Sequence, residues 1–259
     1  MKVSIVVPTL GNRLDEIRRL INSLTMQQYK NFEVVVISQE NHEIVSEILK
    51  AFRELRIVHL RLDKRGLSYA RNHGIAQANG EIILLSDDDC WYHSKSLEII
   101  VTEFLKNVEL DILLTKIHDF DQDIPYKKYS YKKTKIKSKY SLLSKSSIEI
   151  AYKKGYDAFL FDEKFGLGAT FSCCEEIDFL ITNFDNNKTF FYVPEVTVFH
   201  PKKRIENRQE RVIAKGAIYA KHFNWFIGFL VVARDLLLKR ENNLKAFMKG
   251  YSLYKRSTN

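Results

Sequence analysis

The sequence predicts an α/β fold: a single domain with a mostly parallel central sheet, followed by a helical, basic C-terminal extension. Three observations predict it. Short runs rich in β-branched residues alternate with segments of helical apolar spacing over the first 105 residues. The first of those runs are predominantly apolar and do not alternate, as in strands covered on both faces. From about Arg208 the chain becomes helical and basic.

Val3–Val7 is a β-branched run ended by Pro8 and reads as a buried strand. Leu14, Ile17, Leu20, Ile21 and Leu24 recur at helical spacing. Phe32–Ile37 reads as the second strand, Ile44, Ile48, Leu49 and Phe52 mark a helix, and Arg56–Leu60 is the third strand. Leu67 to Ala78 fits a helix stopped by Asn79-Gly80. Glu81–Leu85 is the fourth strand and runs directly into Ser86-Asp87-Asp88-Asp89. Leu97, Ile100, Val101, Phe104 and Leu105 form the next amphipathic helix. Beyond residue 124 the pattern loosens. Tyr126 to Tyr140 holds seven lysines and four tyrosines, as in a solvated loop or hairpin excursion. Order returns over Tyr156–Gly168 and in a helix over Glu175–Ile181. Two short strands follow, Phe190–Val193 and Val196–Phe199, and the tail carries an aromatic-aliphatic stretch, Trp225–Leu238.

A chain of 259 residues suits one large domain, or one domain with an appendage, and the division expected is 1–205 and 206–259. With 45% hydrophobic and 12% aromatic residues, disorder is excluded as the main state. No run of ~18 apolar residues argues for a conventional membrane span. The apolar stretch before Pro8 is too short for a signal peptide, and three cysteines, two of them adjacent, give neither a disulfide framework nor zinc spacing. A reducing, cytosolic setting is expected. The net charge of +9 is unevenly distributed. Residues 1–123 balance at −4, 124–154 at +9, 155–200 at −6 and 201–259 at +10.

In open α/β sheets ligands bind outside the carboxyl ends of the strands, here at the loops beginning at Pro8, Ser38 and Ser86. Neither GxGxxG nor GxxxxGK[ST] is present. Three consecutive aspartates at the end of a buried strand repel one another and are partly desolvated. Mg²⁺ or Mn²⁺ would remove that cost and leave coordination sites for substrate phosphates. An Asp89 helix cap beside solvated acids explains the same residues equally well. Glu175-Glu176-Ile177-Asp178 opens a helix, which ordinary dipole complementarity accounts for, although a carboxylate near a metal-bound phosphate ester can also serve as a general base. His200, before Pro201 at a strand end, reads on its own as a packed histidine more readily than as a ligand.

Together these segments resemble the nucleotide-sugar-dependent glycosyltransferases of family 2, which have the GT-A fold. The matching stretches are SIVVPTLGNR with FEVVVIS, then RGLSYARNHGIAQANGEIILLSDDDCWY, then FDEKFGLGATFSCCEEIDFL, and last YVPEVTVFHP. They occur in the family's order across residues 3–201. The second resembles the stretch around the family's DxD motif, and the third the segment with its catalytic acidic pair.

The resemblance implies an inverting transfer of a sugar from an NDP-sugar to a hydroxyl of a saccharide or lipid-linked acceptor, in bacterial surface polysaccharide synthesis. It places Pro8, Thr9 and Leu10 around base and ribose, with Gln39 flanking the base. The family commonly has Asp where this chain has Ser38. Gly66, Arg71 and Asn72 match a motif that packs near the nucleotide. Asp87 and Asp88 would bind ribose and diphosphate, with Asp87, Asp89 and His200 around a Mn²⁺ or Mg²⁺ ion. Glu176 aligns with the general base, with Glu175 next. The family more often has Asp there, and the extra methylene shifts the reach by ~1.5 Å.

Two other functions fit fewer residues. A nucleotidyltransferase would carry a Gly/Arg/Lys-rich phosphate loop near its N-terminus, for which Gly11-Asn12-Arg13 is a poor substitute. A nucleic-acid-binding protein would use the Lys/Tyr segment. That segment serves equally as an acceptor-side loop, a lipid-facing surface or a solvated charge run, and no nucleic-acid partner is expected. Trp225, Phe226 and their apolar neighbours precede Arg234, Lys239 and Arg240. The extension is therefore expected to meet an anionic membrane surface on the cytoplasmic side, or to pack on the domain or in a homodimer.

Overall fold

β1 (Val3–Thr9) is buried at every position and pairs in parallel with β2 (Phe32–Ser38) on one side and β4 (Ile82–Leu85) on the other. Its predominantly apolar run follows from that place, because both faces of a central parallel strand are covered, and the one polar residue within it, Ser4, donates to buried Glu33 of β2 at 2.7 Å. β3 (Ile57–Arg61) continues the parallel set beyond β2. The computed structural model describes residues 1–155, 160–202, 208–224, 226, 227, 230 and 244–258.

α1 (Leu14–Thr25) buries Ile17, Leu20, Ile21 and Leu24, the residues whose spacing marks it, and α2 (His42–Lys50) buries Val45, Ile48 and Leu49. α3 (Leu67–Gln77) buries a more polar and smaller set: Ser68, Ala70, Arg71, Gly74 and Ile75. Gly74 is pressed onto the sheet, where an added Cβ would lie 2.5 Å from Ile37 and 2.7 Å from Val6.

The second half of the sheet is mixed. β6 (Ile112–Asp119) runs parallel to β10 (Phe190–Phe199), while β9 (Ile150–Lys153) is antiparallel to both β4 and β6. β5 (Trp91–Tyr92) closes the edge on β10, giving the order β3-β2-β1-β4-β9-β6-β10-β5. β7 (Ile124–Pro125) and β8 (Thr134–Lys135) attach to β6 and β10. The two short strands expected over 190–199 are one strand with register shifts between Tyr192 and Val198. α4 (Ser96–Lys106) starts after Lys95, so Asp89 is not its cap.

The Lys/Tyr segment lies along the domain. Lys127, Lys133, Lys135 and Lys139 pair with Glu149, Glu103, Glu109 and Asp185. α5 (Glu175–Asp185) carries the second acidic group at its start. α6 (Arg208–His222) and α7 (Leu244–Thr258) are not detached from the sheet domain. Ala214, Ala217, Ile218 and Phe247 share one buried cluster with Ile112, Leu114 and Phe179. Lys221 and His222 anchor α6 on Asp178 of α5, at 2.9 and 2.6 Å. Most of the Trp225–Leu238 stretch lies outside the described residues. No helix among the described residues is long and apolar enough to cross a membrane.

Candidate active site

The carboxyl ends of β1, β2 and β4 open onto a cleft of about 460 Å³. Pro8, Thr9, Leu10, Gln39, Gly66, Asp87, Asp88, Asp89 and His200 line it, bringing five separate stretches of sequence to one place. Thr9 stands at the end of β1, and its hydroxyl donates to Asp88 at 2.6 Å and accepts the Gly11 amide at 2.9 Å. Gly11 makes the turn possible. Its φ is +69°, and a Cβ there would meet Val45 at 2.8 Å and Asn41 at 2.9 Å. Gln39, just beyond β2, donates its backbone N–H to Thr9 and accepts the Gly66 amide on its side-chain oxygen at 2.6 Å. That bond fixes the rim before α3.

The three aspartates have different partners. Asp87 accepts from Arg71 at 2.7 Å. Asp88 and Asp89 are bridged by the guanidinium of Arg13, at 3.0 and 2.6 Å. Burial pushes the Asp88 carboxyl above its ordinary range, against the bonds from Thr9 and Arg13, and the charges of Asp89 and Asp87 add to that rise. Arg19 supports the turn from below, donating to the Asp89 carbonyl at 3.1 Å and stacking 3.8 Å from the Trp91 ring.

His200 Nδ1 lies 2.7 Å from the Pro201 carbonyl oxygen, and a carbonyl only accepts, so Nδ1 carries a proton. Nε2 then faces Asp89 at 3.1 Å either as a second N–H or as a lone pair directed with the carboxylate toward a shared cation. An imidazole fixed through its other nitrogen, beside carboxylate oxygens, is a donor set suited to a divalent cation. Asp88, Asp89 and His200 have the right donor chemistry, although among the described residues no group of three or more His, Cys, Asp or Glu side chains is placed so that it could hold a metal ion.

Arg71, Asn72, Glu175 and Glu176 are outside the cleft lining. Arg71 is fully buried and links the two acidic groups, donating to Asp87 and, at 2.9 Å, to Glu175. Asn72 clamps the backbone of Phe161, donating to its carbonyl at 2.9 Å and accepting its amide at 2.8 Å. Glu175 sits beneath the Gly166 turn, with Oε2 3.5 Å from where a Cβ on that glycine would be. Glu176 is half-buried at the start of α5. Desolvation pushes its carboxyl well above the ordinary range, and the Glu175 charge adds to it.

Arg13, Arg65, Leu167 and Gly168 also line the cleft and escaped sequence reasoning. Arg13 had a weak signal, as the one cation of the first loop. Leu167 and Gly168 had none, because they are placed by the Leu67 amide donating to the Leu167 carbonyl at 2.9 Å across two distant segments.

A family model, glycosyl transferase family 2, matches residues 4–165. Glycosyltransferase GlyA of Streptococcus pneumoniae serotype 4 is 28% identical over 123 residues, 47% of this chain and 17% of that protein. The poly(ribitol-phosphate) beta-N-acetylglucosaminyltransferase TarS of Staphylococcus aureus is 30% identical over 122 residues, 45% of this chain and 21% of that protein. These matches thus span about a fifth or less of the length of either relative. The crystal structure of TarS 1-349 superposes with a TM-score of 0.67 at 19% identity, covering 85% of this chain and 64% of that one. TarS has also been solved with UDP and with UDP-GlcNAc. Mannosyltransferase PcManGT from Pyrobaculum calidifontis, in complex with GDP-Man and Mn²⁺, superposes with a TM-score of 0.60 at 15% identity, covering 98% of this chain and 68% of that one. At these identities the structural likeness establishes the fold, which is GT-A.

Proposed function

The chain belongs to glycosyl transferase family 2, and from that premise we propose that it transfers a sugar, with inversion, from a nucleoside diphosphate sugar to an acceptor hydroxyl. The observation that carries this reading is the convergence of Thr9, Gln39, Gly66, the three aspartates and His200 on one cleft. The complexes of TarS with UDP-GlcNAc and of PcManGT with GDP-Man support a donor of that class.

In this reading Pro8, Thr9, Leu10, Gln39 and Gly66 hold base and ribose, and Asp87 and Asp88 face ribose and diphosphate. Arg71 and Asn72 act from outside the cleft, by fixing Asp87 and the Phe161 backbone. A Mn²⁺ or Mg²⁺ ion would be held by the strand-end aspartates with His200, Asp89 and His200 being already paired. When bound, it supplies charge stabilisation to the departing diphosphate. Arg13 would have to swing aside for the aspartates to take it up, and 46% of that side chain is exposed.

Glu176 removes the proton from the acceptor hydroxyl. Its raised pKa suits a general base, which works best when its pKa lies near the operating pH. Glu175 is the weaker choice because its carboxylate is already committed to Arg71. Direct displacement at the anomeric carbon needs no covalent nucleophile. The acceptor is a saccharide or lipid-linked glycan of bacterial surface polysaccharide, with the C-terminal helices meeting an anionic membrane surface or a second copy.

The test is incubation of the chain with a panel of UDP-, GDP- and dTDP-sugars, with Mn²⁺ or Mg²⁺, following donor hydrolysis and binding. Hydrolysis of one donor class that stops on chelation supports the reading. Absence of both binding and hydrolysis across the panel overturns it.

A further inference from the structure

A second cavity, of about 570 Å³, opens beside the candidate active site at the ends of β6 and β10. Its wall carries Lys116, Lys127, Lys128 and Lys202, with His118 and Tyr129. Strand alternation puts Lys116 and His118 on one face of β6, pointing away from the buried Thr115 and Ile117. Lys127 is spent on structure, donating to Glu149, Ser146 and the Ser144 carbonyl. His118 faces Asp123 at 3.0 Å. Asp119, the nearest buried acid, is occupied by the backbone amides of Asp121, Gln122 and Lys202. Among the described residues no carboxylate pairs with Lys116, Lys128 or Lys202. Lys116 is half-buried. A partly desolvated ammonium with no counter-charge is costly unless an anion joins it.

The two cavities are neighbours along the segment that follows β10. His200 lines the first and Lys202 the second. The His200 amide donates to the His118 carbonyl at 3.0 Å, and the Tyr126 ring packs edge-on to His200 at 5.5 Å. An anion held at Lys116, Lys128 and Lys202 would thus lie beyond the His200 end of the first cavity.

We infer that this cavity is a phosphate-binding subsite of the acceptor: three ammonium groups on one wall, paired with no carboxylate among the described residues, fit a multiply charged tetrahedral oxyanion held by point charges. Calling the ligand an acceptor rests on the glycosyltransferase reading; the existence of the subsite does not. The phosphate comes either from a soluble phosphate-bearing glycan or from a lipid headgroup.

Lysine footprinting of the full chain tests it. Reductive methylation read by mass spectrometry reports Lys116, Lys128 and Lys202, with exposed Lys95 and Lys106 as internal controls. The probes are inorganic pyrophosphate and vesicles of phosphatidylglycerol and phosphatidylcholine in equal parts, with pure phosphatidylcholine vesicles as reference. Chelator is present in the footprinting and pyrophosphate arms, so that no cation links pyrophosphate to the aspartates, and NDP-sugar binding and turnover are read separately with Mn²⁺. Saturating pyrophosphate is expected to slow methylation of the three lysines about tenfold and leave the controls unchanged. The Lys128→Gln/Lys202→Gln double variant should weaken pyrophosphate about tenfold while binding an NDP-sugar as before, and Lys128→Arg/Lys202→Arg should recover it. Protection by the mixed vesicles alone identifies a lipid headgroup as the source of the phosphate. Protection by neither probe, or a glutamine variant that binds pyrophosphate unchanged, overturns the subsite. Protection in a chain that binds no NDP-sugar sinks the transferase reading and keeps the subsite, whereas donor turnover without protection does the reverse.

Discussion

Arg71 and Glu175 meet at 2.9 Å with the arginine side chain wholly buried, and the same guanidinium reaches Asp87 at 2.7 Å. One cation therefore fixes the strand-end aspartates relative to the first turn of α5. Arg71→Met would leave two carboxylates facing each other without it. Breaking a buried ion pair by removing one partner costs about 3–5 kcal/mol. At ~2–4 °C per kcal/mol for a chain of this size, the melting temperature should fall by about 10 °C. Arg71→Lys keeps the charge but has one ammonium in place of a two-pronged fork, so its melting temperature should lie between. Thermal unfolding by circular dichroism measures both, and an Arg71→Met variant as stable as the parent would show the bridge to be dispensable.

Glu176→Gln should bind donor as the parent does and lose transfer by about a hundredfold or more, the usual weight of a general base. Unchanged turnover would move the base to Glu175 or Asp178. The substitution has a second readout. The folded-state pKa of Glu176 lies above its ordinary value of 4.5. Between those two values the native chain binds more protons than the unfolded one, so its stability falls as pH rises through that window. Glutamine has no proton to lose. Urea unfolding at stepped pH from 4 upward should show the parent's decline flattened in the variant.

Arg13 spans Asp88 and Asp89, the carboxylates that a divalent cation would also use. If chain cation and metal compete, Arg13→Gln should raise Mn²⁺ affinity by several-fold, while Asp89→Asn should lower it by about tenfold or more. His200→Ala should move it in the same direction as Asp89→Asn, by less. Calorimetric titration of Mn²⁺ into each variant measures this. A looser Mn²⁺ complex in Arg13→Gln would mean that the arginine supports the site instead of screening it.

Which parts of the molecule were legible in the sequence follows from how locally each was determined. β1, β2 and β4 stand out because central parallel strands are predominantly apolar on both faces, and their polar endings, Thr9, Ser38 and Asp87–Asp89, then fall at the cleft without further information. β6 and β9 did not stand out. Ile112–Asp119 mixes Thr, Lys and His into its run, and Ile150–Lys153 is four residues whose partners come from elsewhere. The Arg71 bridge was hidden for a related reason: its buried helix face is built from Ser68, Ala70 and Gly74, which leave almost no apolar period. At Ser38 the chain departs from the family's usual Asp. Its hydroxyl sits 2.7 Å from both His42 Nδ1 and His59 Nε2, a contact that sequence spacing does not disclose.

The docking of the tail was the least legible, because it depends on glycine. A Cβ on Gly216 of α6 would lie 2.1 Å from the Phe247 carbonyl oxygen, and one on Gly250 of α7 would lie 1.9 Å from that of Ile213. Each helix therefore presses its backbone into a notch on the other, and the obstacle in both cases is main chain that cannot rotate away. Alanine favours a helix by ~1 kcal/mol over glycine, but overpacking costs about 1–3 kcal/mol and more when nothing can yield. Gly216→Ala and Gly250→Ala should each be destabilising on balance, lowering the melting temperature by several degrees. Ser252→Ala, on the exposed side of α7, gains propensity without a contact and should be neutral or slightly stabilising. Because Tyr254 of α7 packs 6.0 Å from Phe165 and 6.2 Å from Phe171, next to the turn over Glu175, the glycine variants should also loosen that turn. Hydrogen exchange at Gly166, whose amide donates to the Phe171 carbonyl at 2.8 Å, would report it. Faster exchange there in the glycine variants, with the β1 amides unchanged, is the expected pattern. Equal acceleration everywhere would mean that the helices only add global stability.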